Sequence, residues 1–169
     1  MQRKVFSLLV NNNAGLLSRV AGLFSRRGYN IDSITSGATM DDRVTRITVV
    51  ATGDDQILSQ IEKQLAKLED VIEIKILTDG ESVYRELILV KVKADASQRS
   101  ELISIADIFR AKVVDVEADS LMFEMTGTTS KITAFLKLVS TYGVLELART
   151  GITGLSRGAE DIKFFDDLD

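Results

Sequence analysis

The pattern of hydrophobic and polar positions in the first half of the chain predicts six elements. An apolar run at 4–10 has the length of a strand, and the helix that follows has a core stripe of Leu16, Leu17, Val20, Leu23 and Phe24. Strands are predicted at 30–38, 44–52 and 71–77, and between the last two lies a helix with the apolar stripe Ile57, Leu58, Ile61, Leu65 and Leu68. The order is therefore strand, helix, strand, strand, helix, strand.

The second half repeats this order. Strands are predicted at 84–94, 113–117, 120–126 and 144–149, and helices at 96–109 and 131–141. A turn with a helix cap precedes the second helix of each half, at 52–55 and at 126–130. The pattern thus predicts an α+β chain of two tandem ferredoxin-like βαββαβ domains.

In such a domain four antiparallel strands carry two helices on one face, with strands one and three in the centre. We expect residues 1–78 to form the first domain, 79–158 the second, and 159–169 a flexible acidic tail. The face without helices and the two edge strands need a cover, so we expect a homodimer or contact with another subunit.

One turn, between the first strand and the first helix, offers chemistry. The first N–H groups of a helix have no internal partner, and they lie at the positive end of its dipole, where a small carboxylate fits. Gly15 permits close approach of a ligand, and the Asn12 amide has both a donor and an acceptor, so the turn outlines an amino-acid site. Asn and Gly in such a turn ordinarily only form the turn, and spacing alone favours that simpler interpretation. Gly28 is predicted to end the helix in a left-handed conformation.

Composition narrows the classes of function. The 169 residues are 45% apolar and 27% charged, which is ordinary for a globular protein, and the net charge of −4 gives no indication of nucleic-acid binding. The chain has no Cys and no His, so it lacks the usual ligands of a zinc site, and disulfides and the usual thiol or imidazole catalysis are excluded. No apolar run approaches the roughly 20 residues of a membrane span, and no signal peptide is recognised, so we expect a cytoplasmic protein.

Three ordered motifs carry a resemblance to a known family. The segment 16–33 (LLSRVAGLFSRRGYNIDS) resembles the signature of the acetolactate (acetohydroxyacid) synthase small subunit, whose N-terminal half is an ACT domain. The segment 79–92 (DGESVYRELILVKV) is similar to the inter-domain stretch of that family, and 148–158 (ARTGITGLSRG) to its C-terminal ending. The resemblance spans nearly the whole chain. The turn departs from the commonest family pattern at Val10 and Asn13, where an acid and a Ser or Pro are more frequent.

The resemblance implies a regulatory subunit with no active site and no cofactor of its own. Its implied partner is the large catalytic subunit, which carries thiamine diphosphate, FAD and Mg; the small subunit activates it and confers feedback inhibition by a branched-chain amino acid, most often L-valine. The effector site that the resemblance implies comprises Asn12, Gly15, Leu16 and Leu17 of one chain with Asn30 and Ile31 of a second. Discrimination between valine, leucine and isoleucine should be modest, since one methylene is worth only about 1–3 kcal/mol.

Two other classes of function stay open at the level of sequence. Acylphosphatase-like enzymes of the same topology hold a phosphate with an Arg and an Asn near the first turn, and Arg3 with 11–13 supplies those residue types. A free-standing amino-acid sensor without a synthase partner is the other. The second half has no glycine-containing turn at 95–99, so we expect it to contact the catalytic subunit or only to complete the dimer, and Phe164 and Phe165 in the tail could dock.

Overall fold

The structure is a computed structural model that describes residues 1–159, and these divide into two compact units. The first unit is Met1–Val83 together with the described residues from Ile152 onward, and the second is Tyr84–Gly151. The chain therefore leaves the first unit, forms the second, and returns to the first.

The first unit contains two helices against one face of an antiparallel sheet. Its elements are β1 (Gln2–Asn11), α1 (Leu16–Arg27), β2 (Ile31–Ala38), β3 (Val44–Gly53), α2 (Asp55–Ala66) and β4 (Val71–Leu77). The strand order is β2-β3-β1-β4, which confirms that the first and third strands are central. The core between sheet and helices includes Phe6, Leu8, Phe24, Ile47, Leu58 and Leu65.

The second unit repeats the arrangement. Its elements are β5 (Ser82–Lys93, which begins in the first unit), α3 (Arg99–Phe109), β6 (Lys112–Val116), β7 (Ser120–Gly127), α4 (Thr129–Val139) and β8 (Val144–Arg149), in the strand order β6-β7-β5-β8. Its core includes Phe123 and Phe135, whose rings meet edge to face with centroids 5.9 Å apart. The predicted α+β class with two ferredoxin-like βαββαβ domains is confirmed.

Local sequence signals set the helix ends. Gly15 and Gly28 flank α1 in the left-handed conformation, with φ of 82° and 68°, as predicted for Gly28. Asp54 caps α2 by accepting a hydrogen bond from the Ile57 N–H at 2.8 Å, and Thr128 caps α4 in the same way. Helix α3 begins at Arg99 and not, as the sequence predicts, at residue 96. The Asp95 side chain accepts hydrogen bonds from the N–H groups of Ser97 and Gln98, so these residues form a separate turn before the helix.

The sheet face opposite the helices of the first unit is not open, contrary to expectation. Val5, Leu9 and Val50 on that face are buried within the single chain. Part of the cover is the returning segment, since the Thr35 hydroxyl on β2 donates to the Ile152 carbonyl at 3.1 Å. In the second unit Leu87 and Leu89 on the corresponding face are 37% and 38% exposed. The need for a second copy thus does not follow from an uncovered face of the first sheet, and the homodimer stays a prediction.

The unit boundaries differ from the predicted 78/79 and 158/159. The segment after Gly151, which contains a short strand, β9 (Thr153–Ser156), belongs to the first unit, where the Arg157 N–H donates to the Glu81 carbonyl at 2.7 Å. Four residues with a glycine carry no periodicity from which a strand could be predicted. The predicted tail lies outside the described residues except for Ala159. No helix within residues 1–159 combines the length and apolar character of a membrane span.

Candidate functional site

The turn after β1 is fixed by backbone hydrogen bonds on both of its sides. The Asn11 N–H donates to the Asp70 carbonyl and the Asn12 N–H to the Arg43 carbonyl, each at 2.8 Å. These acceptors lie just before β4 and β3, so the neighbouring strands hold the turn in place. The base of the turn is thus anchored on both sides.

The start of α1 presents free donors. The Leu16 N–H donates a hydrogen bond to the Asn13 carbonyl at 3.3 Å. Among the residues that the structure describes, no acceptor lies on the N–H groups of Gly15, Leu17 and Ser18, and the first turn of α1 has no acidic residue. The helix dipole and these N–H groups together suit a carboxylate of a small ligand.

The side chains around this turn divide into exposed and buried ones. Asn12 is exposed, and its Nδ2 donates to the Asp42 carbonyl at 3.1 Å. Leu16 is 5% exposed and belongs to the core, so only its backbone can face a ligand. Leu17 is 49% exposed, so its predicted place in the core stripe is wrong. An exposed leucine beside free N–H groups is an apolar contact for a ligand side chain.

The other two predicted site residues lie at the start of β2. Asn30 is exposed, and Ile31 is half-buried with its side chain packed against the core of the first unit. Ile31 pairs with Ala51 of β3, whereas the turn lies beside Val44 at the other end of that strand, because Asn11 pairs with Val44. Seven residues at about 3.3 Å each separate the two ends by about 23 Å.

The predicted site is therefore in two halves within one chain. Asn12, Gly15, Leu16 and Leu17 come together at one end of the sheet, and Asn30 with Ile31 at the other. A single free amino acid cannot bridge them. The site assignment stays a prediction, and it requires two chains.

Sequence reasoning missed a cluster that braces the turn. The Asp70 carboxylate accepts hydrogen bonds from Asn13 Nδ2 at 2.8 Å and from Arg19 Nε at 2.7 Å, and Arg19 Nη2 lies 2.6 Å from the same oxygen as Nε. The Asn13 amide and then the Arg19 guanidinium lower the pKa of Asp70 from its ordinary value. The carboxylate therefore stays charged at neutral pH. The partners are more than 50 positions apart along the chain, and no motif connects them.

The residues of the acylphosphatase-like alternative do not come together. Arg3 lies near the beginning of β1 and Asn11 at its end, eight residues apart on one extended strand. At about 3.3 Å per residue the separation is about 26 Å, too far for both to hold one phosphate. Across the described part of the chain, no acidic cluster is arranged to hold a metal ion.

Models of known protein families match both halves of the chain. A model described as the ACT domain of the AHAS small subunit type matches residues 6–73, so the first unit is an ACT domain. A second model, described as the small subunit of acetolactate synthase, matches residues 85–158. The chain belongs to the acetolactate synthase small subunit family.

Individual relatives agree over almost their full lengths. A probable acetolactate synthase small subunit of Methanothermobacter thermautotrophicus is 50% identical over 92% of this chain and 93% of the relative. The acetolactate synthase isozyme 3 small subunit of Escherichia coli is 43% identical over 92% and 96%. The crystal structure of the small subunit from Thermotoga maritima superimposes with a TM-score of 0.86, at 37% identity, over 94% of this chain and 99% of the other.

Proposed function

We propose that this chain is a regulatory subunit that binds and activates the catalytic subunit of acetolactate synthase and confers feedback inhibition by L-valine. Family membership along nearly the whole chain supports the partner. The observation that supports an amino-acid effector is the start of α1, where free N–H groups lie beside the exposed Leu17. Catalysis, with thiamine diphosphate, FAD and Mg, belongs to the large subunit in this proposal, and the assembly is cytoplasmic.

The effector's polar groups have separate places in this proposal. Its carboxylate binds the N–H groups at the Gly15 turn, where the helix dipole favours an anion. Its ammonium group binds Asn30 and backbone carbonyls of a second copy, and its branched side chain contacts Leu17 and Ile31. Leu16 contributes through its backbone, since its side chain is in the core.

The position of β2 supports a site that two copies complete. β2 is an edge strand, and its last residue, Ala38, pairs with Thr45, which pairs with Val10 next to the turn. Antiparallel pairing of β2 with β2 of a second copy would place the beginning of one strand beside the end of the other, about 4.8 Å away. Ile31 of the second copy would then lie at the same end of the sheet as Asn12 of the first. The proposed homodimer thus brings both halves to the same end of the sheet.

Regulation then follows from differential binding. An effector that bridges two chains stabilises the dimer geometry in which both halves meet, and only this difference in affinity can be transmitted to a partner. The second unit has exposed apolar side chains on both edge strands, among them Val114, Val116, Leu145 and Leu147. They support a role in contact with the catalytic subunit, the alternative being that the unit only completes the dimer.

The decisive variant is Gly15→Asp. It places an anion at the carboxylate position, so inhibition by L-valine should be lost while activation of the catalytic subunit persists. Gly80→Asp is the matched control, because Gly80 also has positive φ, 84° against 82°, and lies outside the site. Each substitution carries a similar backbone penalty of about 1–2 kcal/mol.

Two measurements test the proposal. Calorimetric titration of the full chain with L-valine should show saturable binding that Gly15→Asp removes and Gly80→Asp keeps, with L-leucine, L-isoleucine and D-valine as comparison ligands. Copurification with the large subunit, followed by assay of its activity, tests the partner. A chain that binds L-valine but neither copurifies with nor activates the synthase would be a free-standing sensor, and a Gly15→Asp variant with full valine inhibition would refute the site.

A further inference from the structure

Asp70 contacts both sides of the turn that precedes α1. Its backbone carbonyl accepts the Asn11 N–H, and one carboxylate oxygen accepts Asn13 Nδ2 on the near side. The other carboxylate oxygen accepts a hydrogen bond from Arg19 Nε and lies 2.6 Å from Arg19 Nη2. Arg19 is one helical turn into α1, on the other side of the turn from Asn13. The carboxylate is 12% exposed and the Arg19 side chain 46%. One buried acid thus fixes the position of a cation at the mouth of the turn.

The remaining nitrogen of that guanidinium lies close to the proposed carboxylate position. A Cβ atom on Gly15 would be 3.4 Å from Arg19 Nη1, and the same nitrogen lies 3.4 Å from the Ala14 carbonyl. Arg19 is four residues after Gly15, and helical side chains point back toward the N-terminus, so the guanidinium lies over the turn. The positive charge of Arg19 therefore attracts any anion bound there, and the negative charge of Asp70 offsets this attraction.

We propose that Asp70 is a positioning residue that makes the effector site select a zwitterionic amino acid over a simple carboxylate. The inference rests on the proposed function. A zwitterion has no net charge and gains little from an additional cation, whereas a monoanion gains from it. Paired with Asp70, Arg19 offers a monoanion no such advantage. The site then depends on its N–H groups for the carboxylate and on the second chain for the ammonium group.

The test compares L-valine with isovalerate, which has the same branched chain and carboxylate but no ammonium group. Both ligands are titrated calorimetrically into the full chain at constant pH and ionic strength. In Asp70→Asn, L-valine should bind about tenfold more weakly because the turn loses its brace, whereas isovalerate should bind as well as before or better. The affinity ratio of the two ligands should fall at least tenfold.

Arg19→Gln provides the opposite charge change at the same place. It leaves Asp70 as an uncompensated anion, which repels isovalerate more than L-valine, so the ratio should rise above that of the wild type. Arg19 is half-exposed, and this variant keeps the test available if Asp70→Asn is poorly folded. Asp70→Glu, which restores the charge, should recover most of the wild-type ratio.

Glu86→Gln is the matched control for loss of a braced carboxylate. Glu86 is 5% exposed and accepts hydrogen bonds from Arg149 Nε and Nη2 and from the Thr129 hydroxyl, a set closely similar to that of Asp70, but in the second unit. This control should lower the urea midpoint and leave both ligand affinities unchanged.

The outcomes separate this inference from the proposed function. Wild-type binding of L-valine together with an unchanged ratio in both Asp70→Asn and Arg19→Gln would overturn the inference alone, and so would ratios that move in the same direction. Equal weakening of both ligands in Asp70→Asn would mean that Asp70 only supports the fold. If the wild-type chain, alone or with the catalytic subunit, bound no L-valine, the proposed function would fail and the inference with it.

Discussion

Arg149 donates two hydrogen bonds to the carboxylate of Glu86, Nε to Oε1 and Nη2 to Oε2, both at 2.9 Å. This pair connects the central strand β5 to the edge strand β8, and burial of Glu86 protects it from solvent. The hydrogen bonds to Glu86 raise the pKa of Arg149, so the guanidinium stays charged. The same two strands carry a second pair, Lys91 and Glu146, in which Glu146 is 75% exposed.

The two pairs predict unequal costs of substitution. Glu86→Gln should lower the free energy of unfolding of the second unit by about 2 kcal/mol, because it leaves a partly buried guanidinium without its counter-charge. Glu146→Gln should change it by no more than about 0.5 kcal/mol, since exposed pairs are screened by water and salt. Urea denaturation followed by circular dichroism measures both, and equal losses would contradict the role of burial.

Leu16 and Leu17 are predicted to separate stability from effector binding. Leu16→Ala should destabilise the first unit by about 2–5 kcal/mol through the cavity it leaves. Leu17→Ala should leave stability within about 0.5 kcal/mol and weaken L-valine binding about fivefold, through loss of about 1 kcal/mol of apolar contact. Unfolding experiments measure the stability of the two variants, and calorimetric titration measures their affinity for L-valine. Unchanged valine affinity in Leu17→Ala would remove this residue from the site.

Acid should weaken the loop between β2 and β3 in a defined pH range. The Asp41 carboxylate accepts hydrogen bonds from Nε, Nη2 and the backbone N–H of Arg43, and these hydrogen bonds lower the pKa of Asp41 from 3.8 to about 2. Because the folded pKa lies below the unfolded one, the stabilisation is complete above about pH 4 and is lost as the pH falls toward 2.

Asp41→Asn should therefore be less stable than the wild type at neutral pH, and the difference should shrink below about pH 4 and disappear as the pH falls through about 2. Urea midpoints at a series of pH values measure it. Asp42→Asn is the control, because Asp42 has no ion pair within residues 1–159. A difference that persists unchanged to pH 2 would contradict the assignment.

The order of elements and the helix ends could be predicted because they depend on local sequence. A left-handed glycine at 28 and a capping aspartate at 54 act over three or four residues, and the helical stripes need only their own periodicity. The centre of each sheet then followed from topology rules. Within the site, the turn and its glycine were predicted on the same local grounds.

The features that could not be predicted depend on pairing across the chain. Asp70 meets Asn13 only because β4 lies beside β1, and the sequence does not show which acid occupies that place. Leu17 keeps helical spacing with the core stripe, yet the edge of that stripe faces solvent. The separation of Arg3 from the turn needs only strand length, and it removes an alternative that residue types alone had allowed.

The return of the chain at Ile152 also determines the order in which the molecule can be completed during synthesis. Residues 84–151 form a unit of their own, whereas Met1–Val83 gains its last segment only from residues that follow them. On a ribosome the second unit is therefore complete before the first, although domains ordinarily fold from the N-terminus onward. The nascent ACT domain lacks the contact of Thr35 on β2 to Ile152 until the residues after Gly151 have been translated.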